Sequence, residues 1–169
     1  MRYALLMNLA LQSGSLFAAL ALLTACTKPE PPVLKPEKVQ VIAVTPKGLE
    51  LEVTLDAHNK NSVALSARSV TAKVTLADKV DLGKVTVDTK VKLPANKHSE
   101  LVVPMSLQWG NTLQLGLLAA SKETIPFKVE GTAEVGFESI SFSVPFTTEG
   151  TLTRQELLVI TSKSLPLPF

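Results

Sequence analysis

Side chains able to carry acid-base, nucleophilic or metal chemistry are few and widely spaced in this chain. There is one cysteine, Cys26, there are two histidines, His58 and His98, and the nearest paired carboxylates alternate with leucines. One thiol and two distant imidazoles form no cluster at metal-ligand spacing. Asp56 and His58 stand two apart on one face of an alternating stretch, the order of an orienting carboxylate and a general base. No nucleophile elbow accompanies them, and a wet strand face ordinarily carries such residues. His98 falls in a turn and reads as solvated. Glu50 and Glu52 alternate with Leu49, Leu51 and Val53, which points both carboxylates outward, away from the apolar surroundings that would raise a pKa for acid catalysis. Gly110, Gly116, Gly131, Gly136 and Gly150 are single and scattered, so no phosphate loop is present. These residues point to a protein that is not an enzyme and that uses neither cofactor nor metal.

The chemistry that remains is at Cys26. Arg2 gives a positive start, residues 16–23 give an apolar run, and small residues close the segment before the cysteine. Gln12, Ser13, Gly14 and Ser15 interrupt the stretch upstream, and the run falls short of the roughly 20 residues a transmembrane helix needs. Leu23-Thr24-Ala25-Cys26 resembles the lipobox of bacterial lipoproteins, in which the cysteine becomes the acylated first residue of the mature protein. That reading also accounts for a lone cysteine in an exported chain, where a free thiol is exposed to oxidation. Resemblance to the lipoproteins implies three acyl tails, more than the two signals stable anchoring needs. Thr27 resembles the context that sorts lipoproteins to the outer membrane, with the domain facing the periplasm.

The expected organisation is a signal peptide over 1–25, a lipidated and proline-rich tether over 26–37, a β-domain over 38–150 and a tail over 151–169. Pro29, Pro31, Pro32 and Pro36 keep the tether out of helix or sheet interior, and at about 3.1 Å per residue it reaches roughly 30 Å, enough to lift the domain off the headgroups. Seventeen Lys and Arg oppose fifteen Asp and Glu, a formal charge of +2, and removal of Arg2 with the signal leaves +1. So balanced a chain, poor in aromatic residues, does not suit nucleic acid. Lys84, Lys90 and Lys92 read as guards of an exposed strand edge.

Alternation dominates the domain. Leu49, Leu51, Val53, Leu55 and Ala57 fall on one parity and Glu50, Glu52, Thr54, Asp56 and His58 on the other, the pattern of a half-buried strand that ends on the turn formers Asn59 and Asn61. A short strand over 38–44 precedes it, closed by Thr45-Pro46-Lys47-Gly48. A loose connection over 62–68 leads to a strand over 70–76, and Ala77-Asp78-Lys79 turns the chain back. Gly83 separates a brief apolar piece from a fourth strand over 85–93, and Pro94-Ala95-Asn96-Lys97 is the next turn. Leu101, Val103, Met105, Leu107 and Trp109 line a fifth strand, in which Pro104 predicts an edge or a bulge. Residues 111–122 read as a helix capped by Asn111, with Leu113, Leu117 and Ala120 on its packed face. Strands over 125–135 and 140–146, parted by Gly136, complete the set. So many strands with one helical crossover predict an all-β class, an antiparallel sandwich with one short helical connection. The tail is left unplaced.

Several short motifs lie on that frame: Asn59-Lys60-Asn61, Leu93-Pro94-Ala95, Gly131 in the penultimate strand, and Pro145-Phe146 followed by Gly150. In their order they resemble the type 2 late embryogenesis abundant family, also called the water-stress and hypersensitive-response (WHy) domain, with Lys60 standing where that family has proline. The resemblance implies a seven-stranded immunoglobulin-like or fibronectin-like sandwich and a role in desiccation or other stress tolerance, and it supplies no active site. The resulting expectation is a membrane-anchored binding or protective module with an unknown protein client. The alternative is a carrier of lipid or another apolar ligand, in a groove that the small residues Gly131 and Ala133 would leave between the sheets.

Overall fold

The computed structural model describes residues 28–110 and 112–157. Seven strands and one helix follow in the order β1 (Val33–Val44), β2 (Gly48–Asn59), β3 (Leu65–Leu76), β4 (Val80–Leu93), β5 (Lys97–Gln108), α1 (Thr112–Ser121), β6 (Thr124–Phe137) and β7 (Ile140–Thr153). They form two antiparallel sheets, one of order β1-β2-β5 and one of order β4-β3-β6-β7. The all-β sandwich with one short helix is therefore present as the alternation predicts.

β2 shows why. Leu49, Leu51, Val53, Leu55 and Ala57 are each 0–1% exposed, and the residues between them face water. Each buried leucine contributes about 1.5–3 kcal/mol of transfer free energy. β2 lies between β1 and β5, so both of its edges are paired and its inward row faces the second sheet. Leu101, Val103, Met105 and Leu107 from β5 and Ile125, Phe127, Val129, Ala133 and Val135 from β6 meet the same core. β5 is an edge of its sheet, where the missing N–H of Pro104 breaks no ladder.

At the termini the structure differs from the expected boundaries. β1 starts at Val33, inside the segment read as tether, and Val33–Pro36 pair with His58–Leu55 of β2. Pro36 is accommodated because β1 is an edge strand and its register shifts between Pro36 and Lys38. At the other end β7 continues past Gly150 to Thr153, with Leu152 fully buried. A helical turn follows, in which Thr153 and Glu156 cap each other, and Leu157 is 1% exposed. The folded unit thus takes in residues on both sides of 38–150.

Within the domain, 65–68 belong to β3, and Gly83 makes a bulge in a continuous β4. Its φ of 91° suits glycine, and its N–H donates to Asp81 Oδ1 at 2.8 Å. Gly136 stays in the ladder, and the chain turns instead at Glu138, whose φ is 48°.

The face of α1 also differs. Leu115, Leu118 and Ala119 are buried, whereas Leu113 and Leu117 are 72% and 64% exposed. The ten residues are apolar nearly all round, so their period does not choose a face. Trp109 precedes the helix and is pinned by its indole N–H donating to Thr45 O at 2.7 Å and its backbone N–H to Lys47 O at 3.2 Å. This fixes how the chain enters. The cap expected at Asn111 lies outside the described residues.

Antiparallel pairing defines two ends. One, the base, gathers the start of β1, the 59–64 and 94–96 connections and the β6-β7 turn; the other, the crown, holds α1 and the start of β6.

Candidate functional site

The base is where the chain's most specific polar residues meet. Asn59 ends β2 with no exposed surface, so its amide must be satisfied by protein. Its Nδ2 donates to Val63 O at 2.9 Å, Leu93 O at 3.0 Å and Pro94 O at 3.2 Å. Its Oδ1 accepts from Asn61 N at 3.0 Å and Asn61 Nδ2 at 2.9 Å. The side chain joins the end of β2 to the end of β4 and so ties the two sheets together.

Asn61 carries the tie further. Its Oδ1 accepts from Glu30 N at 2.7 Å, its Nδ2 donates to Glu30 O at 2.8 Å, and its own carbonyl accepts from Asn96 N at 3.0 Å. A primary amide that accepts from the N–H and donates to the C=O of one residue imitates a strand partner. The residue that leads back toward Cys26 is thereby clamped to the domain. Lys60, between the asparagines, is exposed.

The other expected motif residues sit elsewhere and do a different job. Gly131 of β6 and Phe146 of β7 are register partners, and a Cβ at 131 would penetrate the Phe146 ring. The reciprocal pair is Phe127 and Gly150, with the Phe127 ring over the glycine. Each glycine leaves a gap that a phenylalanine from the neighbouring strand fills. Pro145 is exposed on β7 opposite Thr132. The space expected beside Gly131 and Ala133 is therefore occupied: the ring fills the first position, and Ala133 is completely buried.

The two histidines are register partners across β2 and β5, on the outer face of the three-stranded sheet near the base. Their rings stack with centroids 4.0 Å apart and planes 11° from parallel. Nδ1 of His98 lies 2.9 Å from both oxygens of Asp56. The carboxylate thus engages His98 across the strands and not His58 two residues along, in keeping with the reading of Asp56 and His58 as residues of a wet strand face. His98 lies in β5 and not in a turn. Partial burial, then the neighbouring His98 and Lys60, hold His58 below its ordinary value, while Asp56 pulls weakly the other way. No group of three or more His, Cys, Asp or Glu able to hold a metal occurs among the described residues.

The outer face of the larger sheet is polar. Thr71 and Thr86 share a hydrogen bond of 3.0 Å, and Lys73–Asp81 and Lys128–Glu130 pair at 2.8 Å. These hydrogen bonds raise the two lysines and lower the two carboxylates.

The sequence flagged Asn59, Asn61 and Pro94 as turn and motif residues. It carried no sign that Glu30 is their partner, because Asn61 bonds only the backbone of that residue. Cys26 lies outside the described residues.

Similar folds occur in solved structures. The solution structure of AT1g01470 from Arabidopsis thaliana matches with a TM-score of 0.61 at 14% identity, over 77% of this chain and 86% of that one. The solution structure of At2g46140.1, which carries the late embryogenesis abundant (LEA) designation, matches with a TM-score of 0.57 at 16% identity, over 83% and 80%. A crystal structure of a protein from Archaeoglobus fulgidus matches at 0.51 and 16% identity, over 70% and 97%. At these identities the likeness is one of fold. No match was found among curated protein sequences. The family model described as Late embryogenesis abundant protein matches residues 54–150, from β2 through most of β7 and over more than half the chain. By that match this chain belongs to the Late embryogenesis abundant protein family.

Proposed function

We propose that this protein is a lipid-anchored, non-catalytic module of the bacterial envelope that works beside its membrane in desiccation or other stress tolerance. The observation that carries the reading is the double hydrogen bond between Asn61 and the backbone of Glu30, which fastens the segment leading to Cys26 onto the domain. A freely swinging linker needs no such clamp. A domain that acts next to its anchor does.

Membership of the family supports the stress role. The outward faces, rich in Thr, Ser, Lys and Glu, offer hydrogen-bonding surface to a protein client, and Thr27 after the cysteine favours the outer membrane, facing the periplasm. A carrier of apolar ligand has less support, because the groove it would use is filled by Phe146.

The test is rescue of a deletion strain after drying. Wild-type protein restores survival and Cys26→Ser, produced at equal level, does not. Equal rescue by both would remove the anchor from the function, and no survival defect on deletion would remove the stress role.

A further inference from the structure

Antiparallel pairing brings together the only two imidazoles of the chain. His58 and His98, far apart in sequence, are register partners on β2 and β5, and their ring centroids lie 4.0 Å apart. Two nitrogens bound to one tetrahedral ion are about 3.4 Å from each other, so the strand register alone holds these side chains near chelating distance. The rings stand on the outer face of the three-stranded sheet, with the His98 side chain 63% exposed. An ion and its waters can reach them without any opening of the core.

Asp56 prepares one of the pair. Its carboxylate, which can only accept, lies 2.9 Å from Nδ1 of His98, so that nitrogen carries the proton and Nε2 of the neutral ring keeps the lone pair. A carboxylate behind the far nitrogen of an imidazole is the arrangement that orients metal-bound histidines and raises their basicity.

His58 is the adjustable partner. Its imidazole makes no hydrogen bond among the described residues, and its χ2 torsion is of the broad kind. The ring can therefore turn out of the stack until its lone pair converges with that of His98. The partial burial and neighbouring cations that lower its pKa also leave it neutral, and so able to ligate, at neutral pH. Lys35 and Lys60 stand against Asp56 and Glu100 around the two rings, so charge alone does not draw a cation here. Affinity has to come from the nitrogens.

We infer that His58 and His98 form a two-nitrogen site for one divalent transition-metal ion of the zinc or copper type, with Asp56 as its positioning residue and water in the remaining coordination positions. Imidazole ligands suit Zn²⁺, Cu²⁺ or Ni²⁺ and not Mg²⁺ or Ca²⁺, which take oxygen. A bound ion pins the edge strand β5 to the centre of its sheet, at the end that carries the Asn59 tie. The site does not depend on whether Cys26 is acylated.

The experiment uses the full-length protein without a histidine tag, freed of metal by a chelator. With only two histidines in the chain, imidazole NMR resonances report each ligand separately. One equivalent of Zn²⁺ is expected to shift both together, and the same concentration of Mg²⁺ to shift neither. His58→Gln should leave the His98 resonance unmoved at that zinc concentration. Asp56→Asn should weaken binding by about 10–100-fold in competition with a chelating dye. Cys26 is present in every variant, so zinc held there drops out of the comparison. The substituted side chains belong to the wet face, so the variants keep the fold. A shift of one imidazole alone, an unchanged His98 shift in His58→Gln, an equal response to Mg²⁺, or undiminished affinity in Asp56→Asn would each overturn the site.

Discussion

The ring of Phe146 lies across Gly131, its register partner on the neighbouring strand, and the ring of Phe127 lies across Gly150 in the reciprocal sense. Since neither glycine needs a positive φ, the cost of a side chain at 131 comes from the ring and not from the backbone.

Gly131→Ala should therefore destabilise the domain by about 1–3 kcal/mol through overpacking, and Phe146→Ala by about 3–5 kcal/mol through the cavity it opens. In the double variant the methyl no longer meets the ring, so urea denaturation should show a loss smaller than the sum of the two. Additive losses would mean that the two residues are not in contact.

Asn59 and Asn61 should separate in their effects. Asn59→Asp turns a donor that faces three carbonyls into a buried acceptor, so a loss of at least about 3 kcal/mol is expected. Asn61→Ala removes the bonds to Glu30 but leaves the sheets joined, so it should cost about 1–2 kcal/mol while the Glu30 amide loses its protection in hydrogen exchange. Unchanged protection at Glu30 would show that the clamp does not hold in solution.

On α1, Leu118→Ala should cost about 2–5 kcal/mol and Leu117→Ser no more than about 0.5 kcal/mol. The reverse order in thermal melts would restore the face expected from Leu113, Leu117 and Ala120.

For acid sensitivity the sign follows from His58, whose folded value lies below its ordinary 6.5. Just below 6.5 the unfolded chain binds more protons at this residue than the folded one, so stability falls as pH drops through that window. Between about pH 7.5 and 5.5, above the range of the carboxylates, the melting temperature of the wild type should decline more than that of His58→Gln. Parallel declines would remove His58 as the cause.

Strands with one wet face were legible because period two puts every second residue in one environment, and β2 and β5 display this without interruption. Four features escaped. β1 begins inside a proline-rich segment because an edge strand tolerates a missing donor, which composition alone does not reveal. The face of α1 was not legible, since a helix with apolar residues on most sides carries little directional signal. The clamp on Glu30 and the stacking of His58 on His98 join residues far apart in sequence, and neither Asn61 nor His58 marks its partner by type.

The lipid proposed on Cys26 is most directly tested by intact-mass spectrometry of the protein extracted from membranes. A chain beginning at Cys26 and carrying diacylglycerol and an amide-linked acyl group is the expected result. A chain that begins elsewhere, or one with Cys26 as a free thiol, would contradict the anchor and leave the Asn61 clamp with nothing to hold near the membrane.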